Sequence, residues 1–186
     1  MKRTLTAIAL TALFASSAAA EDIELYKEIT NNAGETVPLR YCYDSEGIAV
    51  RLRMSSHPNP MDPNYWGAFS SFVPINGPLI DFKPEMLDFS AEVIRFAWEH
   101  ECGHHALGHV RELFNNYAFN IPQDHKNIMS YELAADCYAT RQLAEAGALD
   151  EDVLRRIMAA FPANVDSTTH PPTSFRLEHA LQCLVP

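Results

Sequence analysis

The stretch HECGH, residues 100 to 104, puts two imidazoles four residues apart with a carboxylate beside the first. On a helix, positions i and i+4 face the same way, so His100 and His104 can converge on one zinc ion while Glu101 reaches an adjacent water. That arrangement serves hydrolysis at a carbonyl: zinc brings the pKa of a water towards about 7, and a neighbouring carboxylate takes the proton as attack proceeds.

Two histidines do not complete a zinc site, so a third protein ligand is required. The longer pattern HExxHxxGxxH would need glycine at position 107 and histidine at position 110. The chain instead has Leu107 and Val110. Gly108 and His109 are each displaced by one residue, about 100° of helical turn. A glutamate from a second helix is the other source. Glu132, in YELAAD, is the candidate, with Asp136 one turn later on the same face to accept a hydrogen bond from a ligand histidine. Ala134 and Ala135 are small enough for the two helices to approach closely. Taken alone, such a pair of acids reads as an ordinary solvated face. His105 points about 100° away from His104, and His109 sits at or past the helix end, so both read as solvated or capping residues. His57, His125 and His179 carry no recognisable spacing.

The elements that must carry these residues follow from periodicity. VPLRYCY and IAVRLRM alternate in part and are joined by the turn-forming DSEG, which predicts a hairpin. Residues 55 to 78, rich in Pro, Gly, Ser and Asn, read as a loop. Tyr65, Trp66, Phe69 and Phe72 either pin it to the core, the favoured reading, or line a cleft. PLIDF, residues 78 to 82, reads as a short strand and a place for an extended peptide to pair its backbone. Ser90 is the expected N-cap of the HECGH helix, which stops near Gly108. After the polar loop 120 to 127, Ser130 is the expected cap of a helix through YELAADCYATRQLAEA, ended by Gly147. EDVLRRIMAAF after Asp150 and FRLEHALQCL after a further loop complete a helical C-terminal part. Strands first and helices after predict an α+β domain: a small N-terminal sheet or hairpin followed by a helical bundle carrying the HExxH helix.

Residues 1 to 20 have two basic residues, an apolar run and a small-residue end at Ala20. They read as a signal peptide, leaving 21 to 186 as one exported domain in the periplasm or beyond. No stretch approaches the roughly 20 apolar residues of a membrane helix, so stable membrane insertion is not expected. The formal charge of −10 becomes −12 once Lys2 and Arg3 are removed, which disfavours nucleic acid or anionic lipid as a partner. Polypeptide or small-molecule partners fit. Cys42, Cys102, Cys137 and Cys183 suggest two disulfides, with three pairings possible and no CxxC motif.

HECGHHALGH, then ELAADCYA, then HPPTSFR together resemble the gluzincin metallopeptidases related to the prenyl-protein (CAAX) endopeptidase, the HtpX membrane protease and the periplasmic β-barrel assembly-enhancing protease. The resemblance spans roughly residues 79 to 180. It implies a zincin-like single domain binding one zinc ion through His100, His104 and Glu132, with Glu101 as general base and Asp136 behind the ligands. It also implies that His170 helps to stabilise the oxyanion and that Arg176 supports the site with a fixed positive charge. The activity implied is endopeptidase cleavage of a polypeptide substrate. This chain lacks the membrane helices and helical repeats of the best-known relatives. With Cys102 and Cys137 inside the first and second motifs, packing of those helices around the metal would favour a Cys102–Cys137 bridge, leaving Cys42 with Cys183. Two other functions remain open at this stage: a zinc-binding or chaperone-like module without catalysis, and a zinc amidase acting on cell-wall peptide. Cleavage of casein separates the first from the peptidase, and digestion of peptidoglycan separates the second.

Overall fold

The computed structural model describes residues 28–54, 67–161 and 170–184. The leader reading, Tyr65 and Trp66 therefore lie outside the described residues. The architecture is mixed α and β, with two small sheets and five α-helices among the described residues.

β1 (Glu28–Thr30) and β2 (Thr36–Pro38) form an antiparallel ribbon. β3 (Arg51–Met54), β4 (Ala68–Val73) and β5 (Gly77–Phe82) form a second sheet in the order β3-β5-β4. The expected hairpin across DSEG survives only at its tip. Asp44 Oδ1 accepts from the amides of Glu46 and Ile48, and one bridge joins Tyr43 to Ala49. Beyond it the two arms separate, because Thr36–Pro38 pairs with β1 while Arg51–Met54 runs parallel to β5.

The loop expected over 55 to 78 is also corrected, because Ala68–Val73 is a strand antiparallel to β5. The prolines flank this run and do not interrupt it. Asn76-Gly77, with Gly77 at φ +75°, turns the chain directly into β5. Of the aromatics on that segment, Phe72 packs against Phe114 and lies under the Arg111 guanidinium. PLIDF is a strand as expected, but a central one. Leu79, Ile80 and Phe82 are fully buried and both its edges are paired, so it offers no edge to an incoming peptide.

A 3₁₀ turn, Pro84–Asp88, leads to Ser90 and α1 (Ala91–Ala106). Gly108, at φ +81°, ends α1, and α2 (His109–Ala118) starts at the next residue. α3 (His125–Glu145) begins five residues before Ser130. Asp124 is its cap, accepting from the Lys126 amide, and Ser130 lies within the helix, where its hydroxyl donates to the Asn127 carbonyl. Gly147, at φ +67°, closes α3 as expected. α4 (Glu151–Ala160) is capped by Asp150, and α5 (Thr173–Leu181) ends the described chain.

α1 is the hub. Trp98 and Cys102 on one flank bury among Leu52, Ile80 and Phe82 of the sheet. On the other flank Val93 and Phe96 join Leu143, Leu154, Ile157 and Ala180 of the later helices. α1 and α3 meet where Gly103 faces Ala135. A Cβ on Gly103 would lie 3.2 Å from Ala135 Cα and 3.1 Å from Tyr138 Cβ. The small residue expected on α3 thus works together with a glycine on α1.

The disulfides are Cys42–Cys102 and Cys137–Cys183, not the pairing expected from the motifs. Cys102 is two residues from His100, about 200° around the helix. While the histidines face Glu132 on α3, Cys102 sits in the sheet-side core next to Cys42. Two disulfides fit an oxidising compartment. No helix among the described residues is long and apolar enough to cross a membrane.

Candidate metal centre

α1 and α3 bring His100, His104 and Glu132 together in a buried cluster whose candidate ligand atoms lie within 4.8 Å of one another. The Nε2 atoms of the two histidines are 3.2 Å apart. His100 Nε2 is 3.3 Å from Glu132 Oε2, and His104 Nε2 is 3.4 Å from Glu132 Oε1. Four-coordinate bonds of about 2.0–2.1 Å place neighbouring ligand atoms about 3.3 Å apart, so these edges suit a single small ion. Among the described residues Glu132 Oε2 is buried and accepts no hydrogen bond. It has nitrogen atoms near it but no aligned donor, as a metal ligand would.

The charges agree. Burial opposes ionisation of Glu132, yet the adjacent His104 and His100 hold its carboxyl well below the usual range. Burial works against Asp136 too, and is outweighed by Arg176 and His100, so Asp136 also stays ionised. For His100, burial alone would push the imidazolium down, but the hydrogen bond to Asp136 and the adjacent carboxylates of Asp136 and Glu132 raise it to about 10. The cluster therefore attracts a cation at this position, which a proton or a divalent ion can supply. A buried group that could hold a metal ion is present in the site.

Asp136 takes the place expected for it. His100 Nδ1–H donates to Asp136 Oδ1 at 2.9 Å, which leaves Nε2 free for the cluster. Arg176, from α5, grips both oxygens of Asp136, with Nε donating to Oδ2 at 2.8 Å and Nη2 to Oδ1 at 2.7 Å. Its positive charge thus acts on the site through Asp136. His170 reaches the same carboxylate cluster, with Nε2 3.2 Å from Glu132 Oε2, and burial lowers its pKa.

No family model, curated protein or solved structure matches the chain. The functional reading therefore rests on the residues and geometry of this site.

Three participants escaped the sequence. Ser70, on β4, donates its hydroxyl to Glu101 Oε2 at 2.6 Å and lies 2.9 Å from the Glu101 carbonyl oxygen. It holds the carboxylate beside the first histidine. No spacing rule connects residues 31 apart, although the Asn-Gly turn at 76 and 77 was a legible sign that 68–73 is a strand. His105 and His109, expected at the surface, are both buried. His105 Nε2–H donates to the Leu79 carbonyl at 3.1 Å, tying α1 to β5, and burial lowers its pKa to about 4. His109 is folded back against the site because α2 restarts straight after Gly108. Its Nδ1 lies 3.2 Å from His104 Nδ1, and burial, reinforced by His104, lowers its pKa to about 4.

Proposed function

We propose that this chain is an exported, zinc-dependent metalloendopeptidase with a zincin-like domain over residues 21 to 186, acting on polypeptides in the periplasm or outside the cell. The observation that carries the reading is the meeting of His100, His104 and Glu132 at one point, with Glu101 held beside them by Ser70. Zinc bound by these three side chains would polarise a carbonyl and acidify a water, the chemistry that amide hydrolysis needs.

The chain's own residues do the rest. Glu101 accepts the proton of the attacking water and passes it to the leaving amine nitrogen. Ser70 occupies Oε2, so Oε1 is the oxygen that carries the proton. His170 donates from its ring to the oxygen that becomes negative, and Arg176 keeps Asp136 ionised and aimed at His100. Among the described strands β4 is an edge strand and runs past Glu101, so β4, in place of the central β5, is the strand along which an extended substrate pairs.

The test is cleavage of casein or a peptide library by zinc-loaded protein. Activity is expected to disappear with chelator and in Glu101→Gln with zinc still bound. Activity surviving in that variant removes Glu101 from its role. Peptidoglycan digestion without peptide cleavage favours the amidase, and zinc binding without either activity leaves a binding module.

A further inference from the structure

The two histidines of the cluster are backed by different partners. His100 Nδ1–H donates to a carboxylate that Arg176 grips with two hydrogen bonds. His104 Nδ1 faces another imidazole, His109 Nδ1, at 3.2 Å. Ligand histidines almost always give their second N–H to a carboxylate, a backbone carbonyl or water. A neutral ring in that place is unusual.

Resting on the metal site proposed above, we infer that His109 is a positioning residue for the ion: it accepts the His104 Nδ1–H and so fixes the tautomer whose Nε2 lone pair faces His100 and Glu132. Two Nδ1 atoms in contact share a single proton. If His104 is to offer its Nε2 lone pair to a cation, the proton belongs on His104 Nδ1. His109 Nδ1 must then be bare, and the proton of His109 sits on its own Nε2. The opposite arrangement places an N–H on His104 Nε2, pointed at His100 Nε2 3.2 Å away, and closes the site to an ion.

Packing holds His109 ready for this. Its ring stacks on Tyr131 with centroids 4.2 Å apart and planes at 15°. Glu112, on the same helix as His109 and three residues on, lies near enough to the Tyr131 hydroxyl to add to the effect of burial in raising its pKa. Tyr131 in turn precedes Glu132, so the residue that orients His104 is clamped by the neighbour of the third ligand.

The experiment compares zinc affinity, by competition with a chromophoric chelator, in wild type, His109→Phe and His109→Asn. Phenylalanine keeps the stack on Tyr131 and removes the acceptor, while asparagine offers an amide oxygen near the position of Nδ1. Zinc binding is expected to weaken about 10- to 100-fold in the phenylalanine variant and to stay within about threefold of wild type in the asparagine variant. Equal affinity in wild type and His109→Phe overturns the inference, as do equal losses in both variants, which mean packing alone. Independently of how the variants fold, ¹⁵N NMR of histidine-labelled, zinc-loaded wild type is expected to show the His104 proton on Nδ1 and the His109 proton on Nε2. A His109 proton on Nδ1 contradicts the inference. Wild type that takes up no zinc removes the metal site itself, an outcome distinct from a site that binds without help from His109.

Discussion

The two flanks of α1 serve the site differently. The flank facing α3 and α5 is charged and densely paired: it supplies Glu132, the Asp136 that orients His100, and the Arg176 that holds Asp136. The flank facing the sheet is apolar, stapled by Cys42–Cys102, and touches the chemistry through one hydroxyl, Ser70 on Glu101. On the proposed function, holding an ion and moving a proton would fall to opposite sides of one helix. Damage to one side should leave the other function measurable.

The largest effect is expected on the helical flank. Arg176→Met leaves the fully buried Asp136 carboxylate without its cation, and breaking a buried pair in this way costs about 3–5 kcal/mol. Urea unfolding should show that loss together with weakened zinc binding. A change below about 1 kcal/mol would mean that the pair is dispensable. Next, replacing Cys42 and Cys102 by serine removes a bridge closing 60 residues of sequence, for about 2–5 kcal/mol. Zinc stoichiometry should survive, because both cysteines lie in the sheet-side core while His100, His104 and Glu132 meet on the other side of α1. Loss of stoichiometry in a variant that still folds would erase the distinction between the flanks.

Ser70→Ala is a smaller and sharper test. Zinc affinity should not change, while kcat falls about tenfold, the value of one hydrogen bond to a charged group, with KM nearly constant. A fall in zinc affinity would place Ser70 in the metal support.

Asp44, remote on the sheet flank, gives the smallest effect. Burial raises its carboxyl, but the Ile48 amide, Arg111 and the Glu46 amide together lower it. A lowered folded pKa contributes stability that is present above the unfolded value of about 3.9 and is lost as pH falls through the folded value. Asp44→Asn should therefore flatten the acid limb of the stability curve without altering zinc affinity. An unchanged acid limb would remove Asp44 from the account.

The same contrast governs what was legible in the sequence. On the helical flank, position along a helix fixes direction. The four-residue spacings put His100 with His104, and Glu132 with Asp136, each on one helix face, while the resemblance of the ordered motifs was what joined the two faces into one site. That rule also spoke against the expected Cys102–Cys137 bridge, since Cys102 cannot face the same way as His100, but it left two pairings between which helix rotation does not choose. On the sheet flank, partners are set by pairing between distant segments. Arg51–Met54 joins β5 across an intervening strand, and nothing in its own residues announces a parallel neighbour. His109 was lost for another reason: Gly108 is a legible stop, but its immediate restart into α2 depends on where Val110 buries.

The proposed roles on both flanks require an ion between His100, His104 and Glu132. Metal analysis of protein reconstituted with zinc and then desalted tests this directly, with Glu132→Ala as its partner. The account predicts one zinc per wild-type chain and loss of that zinc in the variant with the fold retained. Wild type free of metal, or a variant that binds it equally well, would contradict it.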